Sequence, residues 1–449
     1  MRKNFFLWVV LAAAFVMLPT MTVFAHYYEE SDLVRIGLLR SFSNRESINI
    51  ANTNIFAGYG TESGFMPVQE LYSAGGFTAR AQGNQVQLMV SGQVVHTFTG
   101  TGAQIMDVNG YPITLGAYSY RGAIEFRPYG GRISAINVLS IEEYLYGVLP
   151  SEMSPGFHIE ALKAQAVASR TFAQNSVNQG RHRAQGFDLC DGTHCQVYRG
   201  VSLEHENTTR AVRETHGLML FYNDSPILAV YFSSSGGATD NSEDVWFEAR
   251  PYLRSVNEIH EHEPMVWTRT FTWQQLTTAA ANANAGIGTV NGISVSGMGA
   301  SGRANALTLY GTGGSWTVTR EERIRGFFSA IGGTLPSSNF TIAGGLPTTQ
   351  AVNVTSGWQD LHAPLNTLQA LDSNGAISTV HMAYIFDGHS MRRLDSTPTV
   401  ARGGSGITIE GRGWGHGVGM SQRGAYGMAR MGFCFREILL HYYTGVEIR

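Results

Sequence analysis

Leu162, Ala166, Ala173 and Val177 recur at helical spacing and predict a helix over about 159–179 with one apolar face. Glu160 falls in its first turn, where a negative charge meets the positive end of the helix dipole. Just upstream, Pro150, Ser154, Pro155 and Gly156 are turn signals, and they place a second acid, Glu152, in a turn between apolar neighbours. Earlier in the chain the period changes. VRIGLL, VQLMV, VVHTFTG and GAIEFRPY are short β-prone runs separated by Gly, Asn and Ser, and they predict a small β domain from 33 to about 126 that continues into a strand over 133–140. Glu142 and Glu143 then open a short helix.

Downstream, 218–222 and 227–232 read as the strands of a hairpin with its turn at 223–226, followed by a Ser/Gly loop. The Ala-rich stretch 279–285 reads as a loose connector. ALTLYG and SWTVTR are β-prone, and EERIRGFFSAI is helix-prone. Residues 344–404 read as a β-rich elaboration. A Gly-rich loop follows, with Gly411, Gly413, Gly415, Gly417 and Gly419 alternating, then a helix from Gln422 to about Met431 and an apolar segment, 435–443, that packs as core. Cys434, at the start of that segment, is expected to be buried and free. The pattern as a whole is mixed α+β: β-rich at the N-terminal side, a central long helix beside the Glu152 turn, and a β-rich C-terminal part with the Gly loop and short terminal helices.

Composition narrows the classes. Hydrophobic residues make up 43% and charged residues 14%, which is a globular balance, and a net charge of −3 argues against nucleic acid as a partner. At the N-terminus, Arg2 and Lys3 precede an apolar run over 5–18 and a small-residue site at Val23-Phe24-Ala25, the make-up of a targeting segment over 1–25. The run is short for a membrane span, which takes about 20 residues. The rest of the chain is therefore expected to work outside the cytoplasm. Lysine occurs only as Lys3 and Lys163, so the positive charge is almost all arginine, the side chain that grips carboxylates in bidentate fashion.

Four groups of residues carry candidate chemistry. Glu160 has a structural role at a helix start, whereas Glu152 has none, and partial burial there would keep its carboxyl protonated as a proton donor. Cys190, His194 and Cys195 lie within six positions. They fit a zinc site short of the four ligands a closed one needs, a Cys190–Cys195 disulfide, or buried free thiols. Ser233, Ser234 and Ser235 offer hydroxyls, without a matched base that would make any of them a nucleophile. In the Gly loop, backbone without Cβ atoms admits a close ligand. Trp414 offers a ring face, Arg412 a carboxylate clamp, and His416 and Gln422 hydrogen bonds; the Lys and Ser/Thr of a phosphate loop are missing.

Six blocks then resemble, in order, the family of stage II sporulation protein D (SpoIID) and the LytB amidase enhancer: INVLSIEEYLYGVLPSEM, EALKAQAVASRTFA, CDGTHCQVYRG, YFSSSGGATDNSEDVW, RPYLRSV and GRGWGHGVGMSQRGAYGMA. The resemblance spans most of the chain from about 36 onward and thins over 344–404. It implies a peptidoglycan lytic transglycosylase that cuts glycan strands lacking stem peptides, with Glu152 as the catalytic acid, or else a non-catalytic amidase enhancer. It implies zinc at Cys190, His194 and Cys195. It also implies contact with wall glycan at Arg170, Ser233, Ser234, Ser235, Arg412, Trp414, His416 and Gln422, and an amidase or other wall and sporulation proteins as partners. Here a serine, Ser154, separates the SEM triplet from Pro155. Family members are often membrane-tethered, so the segment 1–25 is expected to be either a cleaved signal or an anchor, the chain's one contact with a membrane. The expected division is a β-rich region over 26–130, a SpoIID-like core over 131–343 interrupted by an insertion over 344–404, and the end of the core over 405–449.

Overall fold

The computed structural model describes residues 33–343 and 400–449, apart from 62–63, 100, 247 and 259; between 344 and 399 it describes only the backbone of strands. The targeting segment expected over 1–25 lies outside the described residues. The fold is mixed α+β. Two compact units divide between Ala229 and Val230, and Glu447–Arg449 return to the first. The boundary expected at 130 falls in a tight hairpin of the first unit, where Tyr129 pairs with Arg132.

In the first unit, alternating Val34 and Ile36 bury one face of strand β1 (Leu33–Gly37). β2 (Ala123–Tyr129) and β3 (Arg132–Ser140) form the hairpin, and β1 lies antiparallel to β3 with Val34 opposite Leu139. These strands belong to a seven-stranded sheet, and a six-stranded sheet accompanies it. Ser140 ends β3 and starts α1 (Ile141–Glu152), its side chain accepting the Glu143 N–H at 3.2 Å, with Glu142 and Glu143 in the first turn. Glu152 thus closes a helix and does not sit in the turn. Pro150 stands two residues from the helix end, where its missing N–H removes one bond without stopping the chain. The turn comes at Ser154–Phe157, closed by the Phe157 N–H on the Ser154 carbonyl.

α2 (Ile159–Gln179) runs as the apolar spacing predicts. The His158 side chain accepts the Glu160 N–H, and Gly180, at φ 60°, terminates the helix in the left-handed region. It buries far more than one stripe, because its many alanines admit neighbours on all sides. Two of the polar residues taken in with them are satisfied locally, Gln165 on Ser169 at 3.0 Å and Thr171 on the Val167 carbonyl at 2.7 Å. β4 (Leu189–Cys190) adds to the edge of the seven-stranded sheet, parallel to β1, with Cys190 opposite Gly37.

The expected hairpin is shorter than its sequence suggests. Asn223 and Asp224, at φ 48° and 58°, form a two-residue turn between Leu220–Tyr222 and Ser225–Pro226. Tyr231–Phe232 pairs instead with Met420–Ser421, within the second unit.

The core of the second unit lies under two three-stranded sheets. The first four residues of the stretch expected as a connector, 279–282, are the last turn of a helix, Trp273–Asn282, held by a Thr272/Gln275 capping box and buried through Leu276, Ala279 and Ala280. Alanine favours helix intrinsically, and a cap with a buried stripe decides it here. Strand Gly406–Arg412 pairs with Val266–Thr272 and Phe340–Ala343 and delivers the chain into the Gly loop. The stretch 344–404 contains three two-stranded hairpins among the described residues. The last helices are Gln422–Arg430 and Phe435–Tyr442; Ile438, Leu439 and Tyr442 are buried, but Cys434 is exposed, because it caps the second helix from outside its apolar stripe.

Candidate functional site

The first unit gathers Glu152 and the Cys/His turn around one loop, 190–200. Glu152 is half-buried, and its Oε1 accepts the Val197 N–H at 2.7 Å. Burial pushes its carboxyl above the usual range; the Val197 N–H and the Arg199 guanidinium oppose this without cancelling it. α1 reaches this loop because Gly147 has no side chain: a methyl there would lie 2.6 Å from the Gly200 carbonyl and 2.7 Å from the Tyr198 ring. The loop is pinned elsewhere by Tyr198 Oη on Asn137 at 2.8 Å and by Arg199 on the Asp191 carbonyl at 3.2 Å.

The same loop brings together Cys190, His194 and Cys195, and the fold adds a residue the spacing did not reveal, His182. Their four donor atoms all lie within 4.8 Å of one another. His182 Nε2 is 3.3 Å from Cys195 Sγ, and His194 Nδ1 is 3.5 Å from Cys195 Sγ and 3.8 Å from Cys190 Sγ. Tetrahedral coordination with Zn–S of about 2.3 Å and Zn–N of about 2.0–2.1 Å puts ligand atoms roughly 3.3–3.8 Å apart, so this cluster can hold a metal ion. His182 Nδ1 bonds Gln185 Oε1 at 2.6 Å, which leaves Nε2 as the lone-pair nitrogen facing the cluster, and its ring stacks on Phe187. All three cysteines are free, so the disulfide reading fails. Cys190 is pushed down by its hydrogen bond with Cys195, with further help from the Gly192 backbone and His194, while Cys195 is pushed up. One thiolate of the pair therefore forms first, and the thiolate is the metal-binding form.

Arg170 does not reach this site. It is 2% exposed, grips Glu142 with Nε at 2.6 Å and Nη2 at 2.8 Å, and donates to the Leu218 carbonyl. Its fork is spent inside the first unit, so the expected glycan contact is replaced by a structural ion pair.

The second unit builds the Gly loop. Gly413, Gly415, Gly417 and Gly419 all have positive φ, from 77° to 107°. At Gly413 a methyl would lie 2.7 Å from the Ser234 and Ser235 carbonyls, so only glycine fits. Beneath the loop is a pair that the sequence does not bring together, Arg303 and Asp240, both nearly inaccessible and 3.5 Å apart. Burial pushes Asp240 up to about 6, and Arg303 also donates to the Ser235 carbonyl at 2.6 Å.

The expected sugar contacts of this unit separate accordingly. Ser234 and Ser235 are fully buried, and their hydroxyls are engaged: Ser234 Oγ accepts the Met265 N–H, and Ser235 Oγ donates to Glu261 at 2.9 Å. Glu261 also takes the Ser235 and Gly236 N–H groups, a clamp on the Ser/Gly loop set 26 residues away in sequence. Ser233 is half-buried, with Oγ 3.9 Å from Met265 Sδ. His416 accepts the Val418 N–H at 3.1 Å and is pushed down to about 4 by burial and by Arg303 and Arg325, so it is a neutral post inside the loop. Gln422 is buried at the start of its helix. Arg412 and Trp414 remain exposed, Trp414 by 46%.

The family described as Stage II sporulation protein matches residues 129–222, the stretch that holds Glu152 and the cluster. The chain is similar to Stage II sporulation protein D of Bacillus amyloliquefaciens, 30% identical over 329 residues that cover 70% of this chain and 75% of that one. It is 29% identical to Stage II sporulation protein D of Bacillus subtilis strain 168, over 75% and 82% of the two chains. It is 31% identical to the Amidase enhancer of the same organism, over 68% of this chain and 40% of the relative.

Proposed function

Because the chain belongs to the stage II sporulation protein D family, we propose that it acts on the cell wall as a peptidoglycan lytic transglycosylase with Glu152 as its acid and base. The family membership itself carries a sporulation-related wall role. The chemistry is supported by one observation above the others: Glu152 is half-buried, its carboxyl is biased toward the neutral form, and it keeps a second oxygen free of the Val197 N–H that fixes the first.

In this reading neutral Glu152 protonates the bridging oxygen between muramic acid C1 and the next sugar, and the C1–O bond breaks. The charged Glu152 then takes the proton from the muramic acid 6-hydroxyl as that oxygen bonds to C1. The product is a 1,6-anhydro end, and the proton count closes on a single carboxylate. A hydrolase would need a second acid about 5–9 Å away. The acids nearest in sequence have other work, the Glu143 carboxylate accepting the Ser140 hydroxyl at 3.4 Å at a helix start and Glu160 paired with Lys163 at 3.0 Å.

We also propose zinc at His182, Cys190, His194 and Cys195. Four protein ligands make a closed site, which is structural, and the bound ion would cross-link the loop whose Val197 N–H holds Glu152. Exposed Arg412 and Trp414 are proposed as contacts for denuded glycan, and the protein is proposed to work outside the cytoplasm, secreted or tethered by its N-terminus. A second reading, a non-catalytic wall-binding partner of an amidase, draws on the likeness to the Amidase enhancer. Glu152→Gln separates the two. Denuded glycan is digested with both proteins and the products are weighed by mass spectrometry. Wild type is expected to release anhydromuramic ends and the variant at least about a hundredfold fewer; equal release by both overturns the assignment of Glu152, and none from wild type favours the second reading.

A further inference from the structure

The first unit carries a groove of about 420 Å³ lined by Arg40, Phe42, Arg45, Ser47, Asn49 and Tyr118 among others. That is within the range, about 300–1,000 Å³, of sites that hold small ligands. Arg40 and Arg45 are both exposed, and neither guanidinium has a carboxylate partner among the described residues. Arg45 spends only Nε, on the Ser41 carbonyl at 2.8 Å. The rings of Phe42 and Tyr118 stand edge to face, 6.1 Å apart, and Tyr118 is 38% exposed.

Two unpaired cationic forks beside aromatic rings suit a ligand with an anion on an apolar-faced ring. Arginine matches a carboxylate bidentately, and an aromatic face accepts the C–H side of a sugar. The groove is also tied to the loop that holds Glu152, at both ends of that loop. The Arg40 N–H donates to Asp191 Oδ1 at 3.3 Å, and Gly200 packs so tightly on the Ser119 carbonyl that an added methyl would lie 2.1 Å from it. A ligand seated here bears on the elements that set the proton donor.

We propose that this groove is a sugar subsite that reads a carboxylate: Arg40 and Arg45 hold the acid group of a glycan unit, and Phe42 and Tyr118 hold its ring. The inference rests on the glycan reading above and adds a recognition element to it, because a strand stripped of peptides exposes the lactyl carboxylate of each muramic acid.

The test measures binding by calorimetry, with full-length protein carrying Glu152→Gln so that no strand is cut. The probes are a denuded muramic acid-containing tetrasaccharide and a chitotetraose of equal length without carboxylates. The groove variants are Arg40→Gln/Arg45→Gln and, separately, Tyr118→Ser. Each is on the surface, and a thermal melt checks the fold. The double variant is expected to bind the muramic acid probe about tenfold more weakly, with chitotetraose unchanged, and the penalty is expected to shrink in high salt. Tyr118→Ser is expected to weaken both probes. Unchanged binding of the muramic acid probe by the double variant overturns the proposal, and so does displacement of that probe by millimolar inorganic phosphate, which would mark a phosphate site. Failure of the catalytic reading shows separately, as absence of anhydro products from wild type while the carboxylate discrimination persists.

Discussion

Replacing His182 by glutamine tests the part of the site that sequence spacing did not reveal. The imidazole presents Nε2 at 3.3 Å from Cys195 Sγ, and its other nitrogen is fixed by Gln185 at 2.6 Å. Structural zinc in small sites contributes about 10–16 kcal/mol at neutral pH, so one ligand of four is worth about 3 kcal/mol, or roughly two orders of magnitude in affinity. Gln185→Ala leaves the ligand in place and releases only its orientation, which costs about 10- to 100-fold. The expected ranking is therefore wild type tightest, Gln185→Ala intermediate and His182→Gln weakest. Competition against a zinc-chelating dye gives the affinities, and elemental analysis of the purified proteins gives the stoichiometry. A His182→Gln protein that keeps one zinc at wild-type affinity would refute the four-ligand site. Wild-type protein that holds no metal and shows a Cys190–Cys195 cross-link by mass spectrometry would refute the metal altogether.

Arg170→Met leaves Glu142 partly buried with its charge uncompensated and is expected to cost about 3 kcal/mol, read as a lower denaturation midpoint; Arg170→Met/Glu142→Met recovers much of the loss, and a double variant no better than the single contradicts the ion-pair account. Glu258, nearly inaccessible and bonded to the Tyr442 hydroxyl, is pushed from 4.5 up to about 7 by burial. Its raised carboxyl keeps a proton that the unfolded chain has already lost between those values, so stability is full below 4.5 and falls by about 3 kcal/mol as pH climbs to 7. Glu258→Gln is expected to flatten that fall in thermal melts taken from pH 4 to 8, leaving the smaller slope from Asp240, and an unchanged slope refutes the assignment to Glu258.

What the sequence disclosed was local in origin. α2 is set by apolar spacing, an N-terminal acid and a Gly180 stop, all within one stretch, and its limits could be read directly. The Gly loop was equally readable, because a residue without Cβ is what positive φ demands, and four of the alternating glycines have it. What stayed hidden depends on partners distant in the chain. Arg170 and Arg412 are the same residue type with opposite fates: one is gripped by a carboxylate 28 positions upstream, the other faces solvent. Ser235 looked available until Glu261 took it, and Cys434 looked buried until the helix began one residue after it. The charge pair of Arg303 and Asp240 is 63 residues apart in sequence; Asp240 lies in a block that resembles the family, but nothing local pairs it with Arg303.

The Cys/His cluster shows why this matters for chemistry as well as for packing. Three ligands in six positions were readable, but three cannot close a tetrahedral site, and neighbours such as His194 and Cys195 face opposite sides of an extended strand. The chain resolves both difficulties by leaving the strand at Cys190. The turn that follows, with the Cys195 N–H on the Gly192 carbonyl at 3.1 Å, swings both side chains to one side. The fourth donor comes from the other direction: Gly180 ends α2 in the left-handed region, and His182 folds back over Phe187. The fourth donor therefore belongs to the helix end and not to the Cys/His motif. Because Val197 lies two residues beyond Cys195, whatever fixes this cluster also fixes the N–H that holds Glu152, which couples the cluster to that carboxyl through the backbone of a single loop.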